Sequence, residues 1–389
     1  MGSREYSLGD DLAYSKSVEA TFDRALKLSK DVVASASSIN RVAKQTSADA
    51  AAWAFGQWEL RKRSRAKFEL ADQMLFVREA LEQSTHERVA AYHANLFPPG
   101  RLVADLTVGI GADLIALAKR GPTVGFEIDS ERVELAEYNL QAHALSSNLK
   151  AEDCLAATWD FEYAFADPAR RVEGRRTLDP TQFAPNPEDI GKRLACLALG
   201  AMKLSPLLSD TFLETLGSRL EFISFGGECR EVLAITGRNA VSGRIAVHIE
   251  SGEQLEASDL PCAVDVPSEF LFDSDPAAVR AHGLGTVCRR HDLLPLGDSN
   301  GYLTGYEPVI TPWLRAYRVL FCGKGDAKQT RKALRELDGH VFEIKQRGVK
   351  ADIVKLGREF SGSGNRPLSL VLWPDGFSVR HLLVEQHVR

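Results

Sequence analysis

Acidic residues stand at the ends of four apolar runs in this chain. Asp105 closes residues 102–106, Glu127 closes 123–128, Asp153 follows 148–151, and Asp167 follows 161–166. A carboxylate at a strand tip accepts hydrogen bonds from hydroxyl and amino groups, so several such tips on one sheet edge form a row of acceptors. Between the first two acids runs Thr107-Val108-Gly109-Ile110-Gly111, a turn whose glycines let the backbone approach a ligand.

The elements that hold these residues follow from the pattern. Residues 102–106 form a strand, 112–120 an apolar helix stopped by Gly121-Pro122, and 123–128 a second strand, after which Asp129 or Ser130 caps a helix. The spacing of a βαβ unit results, with its ligand end set by two glycines and an acid about twenty residues on. A dinucleotide fingerprint needs a third glycine, and that position is Leu114. Asp105, just before the turn, would crowd a pyrophosphate but accept a hydrogen bond from an ammonium group. A ligand with an amino group, a ribose and no phosphate fits better, and S-adenosyl-L-methionine has those parts. The expected contacts are Asp105, Thr107, Gly109 and Gly111 at its amino-acid end, Glu127 and Ile128 at the ribose, and Asp153 and Cys154 at the adenine.

Taken in order, Asp105, Gly109, Gly111, Glu127, Asp153 and Asp167 resemble motifs I to IV of class I S-adenosylmethionine-dependent methyltransferases. The resemblance implies a Rossmann-like α/β core with a mostly parallel seven-stranded sheet. Members of that group that modify a nitrogen carry (D/N)-P-P-(Y/F/W) at the fourth tip, whereas this chain has Asp167-Pro168-Ala169-Arg170. Asp167 and Pro168 match; Ala169 and Arg170 depart, so the resemblance implies that Asp167 orients an amine, while the aromatic that would stack on a base is absent and the Arg170 guanidinium in its place can stack on a base or hold a phosphate. A plain strand cap with solvated Arg170 and Arg171 is the other reading of this tip. Attack through a pyrimidine carbon would require a cysteine, and the loop after Asp167 has none. Cys154 and Cys229 read as buried or incidental thiols.

The helical N-terminus, Asp167-Pro168-Ala169-Arg170-Arg171, SFGGECREVLAI, GYLTGYEP and FEIKQRGVKADIVKL together resemble bacterial methyltransferases that end in a THUMP-like domain. From about residue 48 that likeness covers most of the chain. It implies an RNA substrate, transfer or ribosomal, and three parts: a helical domain over 1–95, the methyltransferase core over 96–255, and a small THUMP-like α+β domain over 256–389.

Several stretches read two ways. Arg61 to Lys67 holds five cations in seven residues, a solvated helix junction or a phosphate-contacting patch. From Tyr302 onward 15 Lys/Arg face 9 Asp/Glu, a local +6 in a chain of net charge −5, and Lys324, Lys328, Arg331, Lys332, Lys345, Arg347 and Lys350 suit either RNA phosphate or solvent. Residues 21–36 and 48–60 read as helices. Ser84 and Glu87 have capping-box spacing for a helix ending near Phe97-Pro98-Pro99-Gly100. His86, His93 and His143 fall on helical stretches and read as surface or core residues, not metal ligands. The loop from Val172 to Asp189 is long enough to need a functional reason. Gly226-Gly227 joins two strands as a hairpin, and 251–260 reads as a linker. Six scattered cysteines without a CxxC pair, an N-terminus without an apolar leader and the lack of a long apolar run point to a cytoplasmic protein outside the membrane. An acceptor in a protein or small molecule, or an RNA-binding module with an idle cofactor site, remain alternatives to RNA methylation.

Overall fold

The structure is a computed structural model that describes residues 19–172, 175–297, 300–375 and 378–387. It divides into two compact units, one running to Lys203 and taking in Thr236–Ala240, the other comprising Leu204–Ile235 and Val241 onward.

In the first unit, α1 (Glu19–Ser29), α2 (Ala36–Ala43), α3 (Ala48–Ser64), α4 (Arg78–Gln83) and α5 (Glu87–Asn95) precede the sheet. Residues 21–36 do not form one helix. Asp31 takes a left-handed φ of 59°, and Ser35 and Ser38 exchange side-chain-to-backbone bonds that start α2 afresh. The capping box expected at Ser84 is also corrected. His86 is the N-cap of α5, Ser84 instead ends α4, and the Glu87 carboxylate accepts from the backbone N–H of Glu69 at 2.8 Å.

There follow β1 (Val103–Asp105), α6 (Ala112–Ala118), β2 (Thr123–Glu127), α7 (Ser130–Ala142), β3 (Asn148–Ala151) and β4 (Tyr163–Ala166). Next come the short pair β5 (Arg171–Val172) and β6 (Arg175–Arg176), then α8 (Pro187–Leu194) and β7 (Leu199–Leu204). The order β7-β4-β1-β2-β3 is parallel throughout. The helix on each crossover covers the sheet with apolar residues: Leu114 and Ile115 of α6 and Ala136 and Leu140 of α7 share one buried cluster with Val108 and Ile110 of the turn. The long loop after Asp167 is not shapeless. Ala169 and Ala184 pair as an antiparallel bridge, closing the segment on itself before Asn186 caps α8.

The second unit holds α9 (Asp210–Leu216), β8 (Arg219–Phe225), β9 (Glu228–Thr236), β10 (Gly243–His248) and β11 (Gln254–Glu256), in the order β11-β10-β8-β9. Gly226 and Gly227 turn the β8–β9 hairpin at φ of 66° and 75°, a conformation that favours glycine. Within 251–260 the expected linker contains β11, paired with β10. The unit continues with β12 (Phe270–Ser274), α10 (Pro276–Arg280), α11 (Leu284–His291), β13 (Leu294–Pro295), β14 (Tyr302–Gly305) and β15 (Leu314–Gly323). It ends with α12 (Ala327–Glu336), β16 (Gly339–Gln346), α13 (Ile353–Glu359), β17 (Arg366–Asp375) and β18 (Ser378–Gln386). A seven-stranded sheet in the order β13-β14-β12-β15-β18-β17-β16 results.

The expectation of one mostly parallel seven-stranded sheet is therefore corrected. Strands β1–β4 and β7–β11 outnumber seven, and β8–β9 and β10–β11 are antiparallel while β8–β10 is parallel, so the α/β fold has mixed sheets. No described helix is long and apolar enough to cross a membrane.

Candidate active site

Strand β1 pairs with β2 on one side and β4 on the other, so the chain leaves it in opposite directions. That reversal opens a crevice at the carboxyl ends of the strands, where an open parallel sheet takes its ligand. Asp105, Glu127 and Asp167 all belong to this edge.

Asp105 is 1% exposed. Its Oδ1 accepts from the N–H of Thr107 at 3.1 Å, while Oδ2 has no partner among the described residues. Burial, and after it the neighbouring charges of Asp113, Asp167 and Glu127, push its titration well above the ordinary carboxylate range. Such a carboxyl lacks a cation. An ammonium group arriving at Oδ2 would satisfy the orphaned oxygen and favour the ionised form.

The turn beyond it leaves room. Gly109 and Gly111 have φ of 56° and 88°, and a methyl group built on Gly109 would meet nothing within 4 Å. Glu127 shapes this turn from below: Oε2 accepts from the N–H of Gly109 at 2.9 Å and Oε1 from that of Asp129 at 3.1 Å. Each oxygen keeps a second lone pair, which a pair of vicinal hydroxyls can use. Ile128 beside it is 77% exposed, an apolar face beside the acid. Close packing at this end also needs a bare Cα on the second strand. A methyl on Gly125 of β2 would lie 2.6 Å from Val108 Cγ2 of the turn, 2.7 Å from Leu149 Cδ2 of β3 and 3.3 Å from Leu114 Cδ2 of α6.

Asp153 is exposed on the loop after β3 and accepts from the N–H of Leu155 at 2.8 Å. Cys154 is buried, and burial pushes its thiol up to about 12, which removes it as a nucleophile at neutral pH. Cys229 is likewise pushed up to about 12. Arg193 of α8 holds this loop in place, donating to the carbonyls of Leu155 and Ala157 at 2.8 Å while its guanidinium lies 3.9 Å from the Trp159 ring centre.

Asp167 is joined to the turn through its backbone: its N–H donates to Thr107 Oγ1 at 2.6 Å. Pro168 is buried and Arg170 half-buried. The Asp167 side chain brings in residues that the motif pattern missed. Lys203, at the end of β7, donates from Nζ to Asp167 Oδ2 at 2.6 Å and to Thr85 Oγ1 at 3.0 Å. Thr85 Oγ1 in turn donates to Asp113 Oδ2 at 2.7 Å, and His93 Nδ1 lies 2.7 Å from Asp113 Oδ1. The His93 ring stacks on Phe165 of β4 with centroids 4.9 Å apart. Burial pulls the Asp113 carboxyl upward, but His93, with Lys203 and Thr85 behind it, outweighs that pull and holds it below the usual range. Each of these residues left a trace: Lys203 is a lone cation in the apolar LGAMKL strand, and Asp113 an acid in the buried ADLIALA helix. His93 is a core residue, as its helical position suggested, yet it serves this network.

Among the described residues no group of three His, Cys, Asp or Glu could hold a metal ion. In the cation-rich stretch from Arg61 to Lys67 only Arg61 is a buried cation, donating to the Met74 carbonyl; Lys67 is half-buried and donates to the carbonyls of Leu81 and Ser84, while Lys62, Arg63 and Arg65 are exposed, Arg65 forking onto Asp72 and Arg63 pairing with Glu59.

No protein-family model matches the chain. It is 33% identical over 337 residues to an uncharacterized S-adenosylmethionine-dependent methyltransferase of Mycobacterium tuberculosis, found with the same figures in strains CDC 1551 / Oshkosh and ATCC 25618 / H37Rv. The match covers 83% of this chain and 93% of the relative. Among solved structures, a crystal structure of a candidate methyltransferase from Porphyromonas gingivalis W83 superposes with a TM-score of 0.77, covering 96% of this chain and 99% of that one at 19% identity.

Proposed function

The chain belongs to the S-adenosylmethionine-dependent methyltransferases, and from that premise we propose that it methylates a base nitrogen in RNA, with Asp167 holding the acceptor. S-adenosylmethionine supplies, when bound, a methyl group made electrophilic by its sulfonium. In this reading Asp105 takes the ammonium group on its unpartnered oxygen, with Thr107, Gly109 and Gly111 lining the same end. Glu127 receives the ribose hydroxyls with Ile128 beside it, and Asp153 with the Cys154 backbone faces the adenine amine. Asp167 and the Pro168 carbonyl accept the acceptor N–H and aim the nitrogen, and the Arg170 guanidinium stacks on the base. Methyl transfer needs an in-line approach, so alignment is the main contribution these side chains make. Three parts along the chain belong to this reading: an N-terminal helical domain over 1–95, of which the first eighteen residues lie outside the described ones, the methyltransferase core over 96–255, and a THUMP-like α+β domain over 256–389.

One observation carries the proposal: the bond from the Asp167 N–H to Thr107 Oγ1 fastens the acceptor tip to the glycine turn. Tritium from labelled S-adenosylmethionine should enter RNA purified from cells lacking the protein, and Asp167→Ala should abolish incorporation. Label confined to protein or small-molecule fractions would reject RNA as the acceptor. That second reading, a protein or small-molecule acceptor, draws support from the C-terminal cations, several of which are already paired within the fold: Lys345 and Arg347 with Asp273, and Arg331 with Glu359. It expects almost no salt dependence of RNA binding.

A further inference from the structure

The acid expected to hold the acceptor does not stand alone. Lys203 Nζ lies 2.6 Å from Asp167 Oδ2, with the two side chains 15% and 32% exposed, so the pair is sheltered but reachable from solvent. The ammonium is fixed from behind. Thr85 spends its single hydroxyl proton on Asp113, which leaves a lone pair that can only accept, and Lys203 donates to it. Asp113 is itself braced by His93, whose ring rests on Phe165, two residues before Asp167. Thr85 lies in the turn between α4 and α5, His93 on α5, and Asp113 on α6, the helix that follows β1. Three separate stretches thus hold one cation against the acceptor acid.

We infer that Lys203 determines acceptor specificity: by pairing with Asp167 it admits a neutral aromatic amine and turns away an alkylammonium group. The inference rests on the reading of Asp167 given above. A carboxylate whose charge is already matched offers little to an incoming cation, and the ammonium beside it repels one. A neutral N–H donor meets no such repulsion and can still hydrogen-bond to the carboxylate, whose two oxygens together have about four acceptor positions. An exocyclic amine of a nucleobase is neutral at pH 7, whereas a lysine side chain is protonated, with its lone pair blocked. Excluding the wrong acceptor by a fixed like charge is specificity through repulsion.

The test needs no acceptor. Sinefungin is an S-adenosylmethionine analogue with a primary amine in place of the methyl-bearing sulfonium, so at neutral pH it sets a cation where the transferred methyl would be. Calorimetric titration of the full chain with sinefungin and with S-adenosylhomocysteine gives an affinity ratio that reads the charge at that point. In Lys203→Met the ratio should rise in favour of sinefungin by about tenfold, the size expected for removing one nearby like charge. Lys203→Arg should keep the wild-type ratio, and Asp167→Asn should shift it against sinefungin. Lys203→Gln replaces Lys203→Met if the latter does not fold. An unchanged ratio in the neutral variants, or a rise in Lys203→Arg as well, overturns the inference. An unchanged ratio in Asp167→Asn instead removes Asp167 from the transfer point, and the acceptor reading falls first.

Discussion

The edge of the parallel sheet and the cation-rich strands of the second unit are both strongly charged, and they use charge in opposite ways. At the sheet edge Asp105 keeps a buried oxygen with no partner among the described residues, although burial makes that costly. In the second unit Asp273 of β12 collects both Lys345 Nζ at 3.2 Å and Arg347 Nη2 at 2.8 Å, and Arg347 also donates to the Ser274 carbonyl at 2.6 Å. Lys345 further lies 5.5 Å from the Tyr317 ring centre and Arg347 5.4 Å from that of Tyr302. At Asp105 a buried carboxylate oxygen is left for a ligand; around Asp273 the charges are matched within the fold. An unmatched buried carboxylate at a strand tip is the mark of a ligand site, and a count of charges does not measure it.

The largest effect should come from breaking the spent cluster. Asp273→Ala leaves two half-buried cations facing each other without their carboxylate, and should destabilise the full chain by about 2–3 kcal/mol in a denaturant melt, toward the lower end for buried pairs because these groups keep some solvent. S-adenosylhomocysteine affinity measured on the folded variant should not change. A loss of ligand affinity as large as the loss of stability would erase the contrast between the regions.

Asp105→Asn tests the other side, with a smaller effect of opposite sign on stability. The amide keeps the shape but cannot meet an ammonium as a carboxylate does, so S-adenosylhomocysteine affinity should fall about 10- to 100-fold while the ligand-free protein becomes more stable. The sign with pH follows from the raised titration of Asp105. Its folded value lies above its unfolded one, so its contribution to stability is full at low pH and is lost as pH rises through the folded titration. Across that same window ligand affinity should rise, because the ammonium needs the ionised carboxylate. Calorimetry in buffers of different ionisation enthalpy should register proton release on binding for wild type and none for Asp105→Asn. Equal proton release in both would place the unmet capacity elsewhere.

The same contrast explains which parts of the molecule could be read from the chain. The glycine turn and the acids at the strand tips are local: period, breaker and acid lie within a few residues, so β3 falls at 148–151 as expected and Asp129 caps α7. The Lys203 network is not local. The bond from Lys203 to Thr85 spans 118 residues and that from Thr85 to Asp113 spans 28, and no short window contains both partners. Gly125 has no local signal for the same reason, since the need for a bare Cα there comes from Val108 and Leu149 on neighbouring segments. The cation run from Arg61 to Lys67 divides along the same line. Lys62, Arg63 and Arg65 stay at the surface, as a solvated helix junction requires, whereas Arg61 and Lys67 turn to the Met74 and Leu81 carbonyls, partners that lie outside the run.

What remains of the basic surface gives the finest test. Lys324, Lys328 and Lys350 are exposed and their ammonium groups have no partner among the described residues, unlike Lys345 and Arg347 on the same unit. If RNA lies along this unit, these three carry its phosphate contacts, and each contact to a single strand contributes roughly 0.7 to the slope of log affinity against log salt. Converting all three to Gln should then reduce that slope by up to about 2 and weaken RNA binding without altering S-adenosylhomocysteine affinity or the melt. Asp273→Ala, measured where it is folded, should leave the slope nearly unchanged, because Lys345 and Arg347 serve the fold and not the phosphate. A slope that follows Lys345 and Arg347 instead of the three exposed lysines would mean that paired cations open to bind RNA. Spare hydrogen-bonding capacity would then locate the small-molecule site but not the surface that grips the acceptor.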